Sequence, residues 1–313
     1  TGLSAIAEPV YWRLSWPNTD FENTSVAYDD ILFAGPGKDG IAAVFDPTFI
    51  PVADETEVQG REPVIALELD GALPRAYPVR YLLIHEIVND RIGDVPVAVT
   101  YCPLCNSGLS FDRRIRTAGK VQTLTFGVSG MQRHNDMVMY DHQSESWWQQ
   151  ATGTAILGAL NTTELTALPS WMESWDEFRE RNPNALVMGP PRGRGRYGVT
   201  PYLGYDSAEV PFGYWGDLPD NGVPALARVV RVDDRAWPMS RIAMLGALTE
   251  DGIRSTWRAG QASAVDTYAV AEGRDVGTLR VFDAETGAPL VHDVMFAFAF
   301  HNLWPEGVWM LAD

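Results

Sequence analysis

Val95-Pro96-Val97-Ala98-Val99-Thr100-Tyr101-Cys102-Pro103-Leu104-Cys105-Asn106-Ser107 is a β-branched apolar run that carries a Cys-x-x-Cys pair into the loop at its end. The chain of 313 residues has no other cysteine. Such a pair is a chelate, a redox disulfide or a staple, so the chemistry is expected at the end of this strand. Upstream, Ile92-Gly93-Asp94 marks a turn, which predicts a hairpin of 86–91 with 95–101, led in by a short segment over 78–85. Downstream, 109–114 and 121–128 read as a second hairpin with Thr117-Ala118-Gly119-Lys120 at its tip, and 137–142 as a further strand. One helix is signalled by the capping box Ser170-x-x-Glu173, with Trp171, Trp175 and Phe178 on one face and Asn182-Pro183 as its stop. The fold class is mainly β with a few short helices, built from antiparallel meanders.

Four short motifs recur in the same order. They are Arg75-Ala76-Tyr77-Pro78 with Arg235-Ala236-Trp237-Pro238, Thr100-Tyr101 with Thr256-Trp257, Ser107-Gly108-Leu109 with Ser263-Ala264-Val265, and Tyr140-Asp141 with Phe282-Asp283. They predict two degenerate lobes, 56–185 and 186–313, with 1–55 packing on both. Arg258 and Gln261 stand in the second lobe where the first has its cysteines, so the backbone forms without thiols and the pair is functional. Arg192-Gly193-Arg194-Gly195-Arg196 reads as a solvated loop joining the lobes.

Composition bounds the partners. With 46% hydrophobic residues the chain can fill a core, and 41 acidic against 24 basic residues give a formal charge of −17. Nucleic acid and anionic membrane both need a basic footprint, so neither is expected. No apolar run reaches the roughly 18 residues that span a bilayer. The chain opens at Thr1 with no signal sequence, which suggests processing or trimming.

Strand direction selects ligands. The residue before the first strand of a hairpin lies at the same end as the residue after the second, which sets His85 beside Cys102. The following strand leaves from that end and its partner returns, bringing the loop 129–134. His85, Cys102, Cys105, Met131 and His134 are therefore expected on one rim, and His142 away from it. Two thiolates with two imidazoles suit copper or zinc, with Met131 as a weak axial ligand for copper.

Other motifs fail on context. Gly35-Pro36-Gly37-Lys38-Asp39-Gly40 matches a dinucleotide fingerprint, but Asp46-Pro47 and Pro51 break the helix it needs, so no nucleotide cofactor is predicted. His85-Glu86-Ile87-Val88-Asn89 has asparagine where a zincin helix has its second histidine, and Gly127-Val128-Ser129-Gly130-Met131 lacks the final glycine of a nucleophile elbow.

Through Asp39-Gly40-Ile41, Arg75-Ala76-Tyr77-Pro78, His85-Glu86-Ile87-Val88-Asn89-Asp90, Thr100-Tyr101-Cys102-Pro103-Leu104-Cys105, Phe126-Gly127-Val128-Ser129-Gly130 and Met139-Tyr140-Asp141, the chain resembles the bacterial and archaeal domain of unknown function 3179 family. The resemblance runs from about residue 30 to the C-terminus. It implies an extracytoplasmic setting (periplasmic, cell-surface or secreted) and singles out His85, Cys102 and Cys105, while His134 and His142 depart from the usual family residues. The resulting expectation is an extracytoplasmic protein that holds copper or zinc and acts, if an enzyme, as a metal-dependent oxidoreductase on a small molecule or protein partner. Two alternatives stand beside it. One is a thiol-disulfide oxidoreductase in which Cys102 attacks and Cys105 resolves; the other is a non-catalytic binding or envelope-assembly module stapled by a disulfide.

Overall fold

The computed structural model describes residues 11–311 except 118, 193, 194 and 215, so one residue of the predicted hairpin tip and two of the arginine-glycine loop lie outside the described residues. Strand takes 39% of the chain and helix 15%, which settles the class as mainly β with few helices. Among the described residues no helix is long and apolar enough to cross a membrane.

The strands form a five-bladed, propeller-like arrangement of sheets rather than two lobes. The reason is the core. Its largest apolar cluster runs from Val44 through Val97, Phe111 and Val229 to Phe300, so both halves of the sequence fill one interior. At about 1.5–3 kcal/mol per fully buried large side chain, dividing this cluster between two lobes has a large cost. Two of the sheets nevertheless share a strand order. In one, Pro63–Leu67 lies between Ser170–Ser174 and Arg75–Pro78, and Leu186–Met188 runs parallel to Arg75–Pro78. In the other, Arg228–Val232 lies between Asp293–Phe296 and Arg235–Pro238, with Val308–Trp309 parallel to the last. The Arg75/Arg235 and Thr100/Thr256 motif pairs fall at matching strand positions. Ser263 lies in a connection whereas Ser107 opens a strand, and Tyr140 and Phe282 belong to different kinds of sheet.

The thiol hairpin is Ile87–Ile92 with Val95–Cys102, and Ser107–Asp112 continues it on the other side. The second predicted hairpin divides. Only Arg114–Thr117 and Lys120–Thr123 pair with each other, while Ser107–Asp112 and Phe126–Arg133 enter separate sheets. Arg113 sits at the parting, buried, and its guanidinium donates to the carbonyls of Val97, Leu124 and Asp90 at 3.0, 2.5 and 2.9 Å. A buried charge so fastened fixes where the strands separate.

The predicted capping box is four residues early. Ser170–Ser174 is a strand paired with Pro63–Leu67, and the helix is Trp175–Arg181, capped by Ser174 Oγ accepting from the Glu177 amide at 3.2 Å. Ser174-x-x-Glu177 repeats the same local signal, and burial of Trp171 on the sheet decides between the two. The segment before the thiol hairpin is a helix, Val79–His85. The expected loop 129–134 is mostly strand: Phe126–Arg133 bulges at Ser129-Gly130, and the turn to Asp136–Asp141 is His134-Asn135, both at positive φ. Gly130 (φ +77°) is required there, because a Cβ would lie 2.7 Å from Gly37 Cα in the loop laid over the bulge. That loop is the glycine-rich segment, bonded through Ala34 N to Gly130 O and Asp39 N to Val128 O, each at 2.9 Å.

Candidate metal centre

Cys102 ends its strand opposite Ser107, so Pro103-Leu104-Cys105-Asn106 is a tight connection closed by Asn106 in the left-handed region (φ 55°). Distant residues fasten this turn. Phe296 N donates to Cys105 O at 2.9 Å, Tyr205 Oη to Leu104 O at 2.7 Å, and Asn106 Nδ2 to Val294 O at 2.8 Å. Asp293 accepts from Ser107 Oγ (2.5 Å) and Gly108 N (3.1 Å). Residues between 205 and 296 thereby hold the thiol turn in place.

The third member of the site is Asp136, the residue after the His134-Asn135 turn. Its Oδ1 accepts from Cys105 Sγ at 3.0 Å, and its Oδ2 from Gln149 Nε2 at 2.5 Å and Ala151 N at 2.9 Å. Cys102 Sγ donates to Asn135 O at 3.5 Å. One ligand atom from each of Cys102, Cys105 and Asp136 lies within 4.8 Å of the others, and all three residues are buried. Both thiols are free.

Burial governs the electrostatics. It pushes the Cys102 thiol up and Cys105 well up, the latter reinforced by the neighbouring thiol and by Asp136. It raises Asp136 to about 6 against the hydrogen bonds from Ala151, Cys105 and Gln149. Glu86, buried nearby, is raised to about 7 by burial and by the charge of Asp136. Arg133 acts on Asp136 from a distance, its guanidinium donating to Gln149 Oε1 at 3.4 Å, but among the described residues no ion pair reaches any of these four groups. Four buried acids without an ion-paired cation stay neutral by keeping protons, or ionise by taking a metal ion.

Of the residues expected on one rim, the structure brings Cys102 and Cys105 together and adds Asp136. Met131 is buried and lines a cavity of about 110 Å³ with Cys102 and Glu86. His85 has both ring nitrogens engaged, Nδ1 with Ala42 O at 2.7 Å and Nε2 with Tyr197 Oη at 2.9 Å, and it lines a different cavity beside Asp46 and Arg192. His134 faces a third cavity with Asp30 and Tyr214, and burial and Arg133 lower its pKa. Sequence reasoning passed over Asp136 because it followed soft ligands only. The signal was a charged residue opening the apolar strand Met137-Val138-Met139 directly after a turn.

A family model described as "Protein of unknown function (DUF3179)" matches residues 38–307. No curated protein and no solved structure matches the chain.

Proposed function

The chain belongs to the DUF3179 family, and we propose that it binds one metal ion through Cys102, Cys105 and Asp136. The observation that carries this reading is three ligand atoms within 4.8 Å of one another, all in buried residues, with no ion pair to any of the three among the described residues. Two thiolates and a carboxylate make a mixed soft and hard set that suits zinc. Copper drew its support from His85 and Met131, and the imidazole is already bonded on both sides, so zinc stands first. Cys102 also lines the cavity, so an ion held by these three residues would lie beside that space. Zinc there would be a Lewis acid, whereas electron transfer at the ion itself needs a redox-active metal such as copper, so metal identity decides the reaction class. The extracytoplasmic setting belongs to the same proposal and rests on the family resemblance.

The thiol-disulfide reading draws less from the geometry. An attacking cysteine needs a lowered pKa, and burial and Asp136 move both thiols the other way. Elemental analysis of protein purified without chelator tests the choice. About one zinc ion per chain is expected, lost in Cys102→Ser and in Asp136→Asn. Metal-free protein with an exchangeable Cys102–Cys105 disulfide overturns the proposal.

A further inference from the structure

Helices Val79–His85 and Met239–Leu245 are a matched pair. Each has seven residues, each follows an Arg-Ala-aromatic-Pro strand, and each is closed by a residue at positive φ. The closing residue of the second is Gly246, at φ 73°, ψ −32°. That of the first is Glu86, at φ 58°, ψ −35°. Glycine adopts this conformation freely, whereas an L side chain there is strained. Glu86 carries a second cost. Its carboxylate is in a residue only 8% exposed, and among the described residues it has no hydrogen-bond or ion-pair partner. Glycine at this position avoids both costs, so neither the helix nor the core accounts for the carboxylate.

The carboxylate's surroundings account for it. Glu86 lines the 110 Å³ cavity with Cys102 and Tyr202, and apolar Ile41, Val128 and Met137 are part of the remaining wall. We propose that this cavity binds a small organic amine, its ammonium group on Glu86 and its short alkyl body against Ile41, Val128 and Met137. A buried carboxylate without a partner is satisfied best by a charge-assisted hydrogen bond from a cation. Charge balance points the same way. Two thiolates and a carboxylate around a divalent ion still sum to −1, so the neighbourhood of Glu86 is not made positive by metal and repels an anionic ligand. A single water needs roughly 10–15 Å³ of such space, so the cavity of about 110 Å³ admits several heavy atoms.

The test titrates n-butylamine, 1-butanol and butyrate into the full chain, followed by calorimetry, with metal content assayed in parallel. Wild-type protein is expected to bind the amine at least tenfold more tightly than the alcohol and to exclude butyrate. Glu86→Gln loses at least tenfold of the amine affinity and keeps the alcohol's. Glu86→Gly loses the amine and melts at a higher temperature, which separates ligand binding from a structural role. Metal content is unchanged in both variants, so this inference and the metal reading fail separately. Equal affinity for amine and alcohol, a lower melting temperature in Glu86→Gly, or loss of the ion in either variant overturns the proposal.

Discussion

Asp136, which opens a strand, and Asp206, in the short helix Tyr205–Ser207, are both buried carboxylates, and their surroundings are opposite. Burial opposes ionisation of Asp206, but Arg274 (2.5 Å) and Arg228 (3.0 Å) overcome it, with Ser263 Oγ donating at 2.6 Å, and its pKa is lowered. Asp136 accepts from one thiol, an amide side chain and a backbone N–H, and its pKa is raised to about 6. The first site supplies its own counter-charge and is complete as a piece of structure. The second has no ion pair among the described residues and only the more distant charge of Arg133, which marks it as a place for a cation from outside the chain.

The largest expected effect comes from removing the two charges in turn. Asp206→Asn leaves two guanidinium groups without their anion, one of them nearly buried, and breaking such a pair costs about 3–5 kcal/mol. Asp136→Asn in chelated protein removes a carboxylate that already resists ionisation, and its cost is under about 1 kcal/mol. Urea denaturation of both variants, with and without chelator, checks this. Comparable losses in chelated protein erase the contrast between the two sites.

A pH series sharpens the same contrast. Glu86 and Asp136 have folded-state pKa values of about 7 and about 6, above their ordinary 4.5 and 3.8. The native state therefore binds more protons than the unfolded chain between those limits, and metal-free protein gains stability as pH falls from 7.5 toward 5. Glu86 alone contributes on the order of 2–3 kcal/mol to that change. With metal bound the sign reverses below pH 6, because protons compete for Asp136 and the thiolates. Asp206, with its lowered pKa, works in the opposite direction, and its contribution is lost only as pH falls through the acid range. Chemical denaturation of chelated protein at pH 5.5, 6.5 and 7.5 gives the slope, and Glu86→Gln is expected to flatten it. A metal-free protein that loses stability over that fall in pH contradicts the electrostatic account of the cluster.

What the sequence showed and what it hid divide along the same physical line. The thiol hairpin was legible because its strands are adjacent in the chain and closed by Ile92-Gly93-Asp94, and Asn182 does end the helix. Pairings between distant segments were not legible. Ile31–Phe33 lies on Phe126–Arg133, Leu186–Met188 runs parallel to Arg75–Pro78, and Val294 and Phe296 hold the cysteine turn. The helix was placed four residues early because two serine-glutamate signals stand in series and only sheet pairing chooses between them. Of the site, the two thiols were visible as a motif. Asp136 and Glu86 were not, since a carboxylate becomes unusual only once its burial is known, and strain at Glu86 appears only in the backbone.

The smallest expected effect calibrates that strain, and Gly246 is the place to measure it. A Cβ built on Gly246 meets nothing within 4 Å, so Gly246→Ala adds no clash and reports the cost of its positive φ alone. A loss of about 1 kcal/mol is expected, read as a shift in the denaturation midpoint with an unchanged slope. Glu86 has nearly the same backbone angles, so its own conformation carries a comparable cost, to which desolvation of the carboxylate adds. If Gly246→Ala is neutral, the turn after these helices tolerates side chains, and Glu86 loses the conformational half of its case while keeping the electrostatic half. If the loss is found, the contrast narrows to one residue: where the second helix closes on glycine and is stable, the first closes on a strained, unpaired carboxylate that faces a cavity beside two thiols.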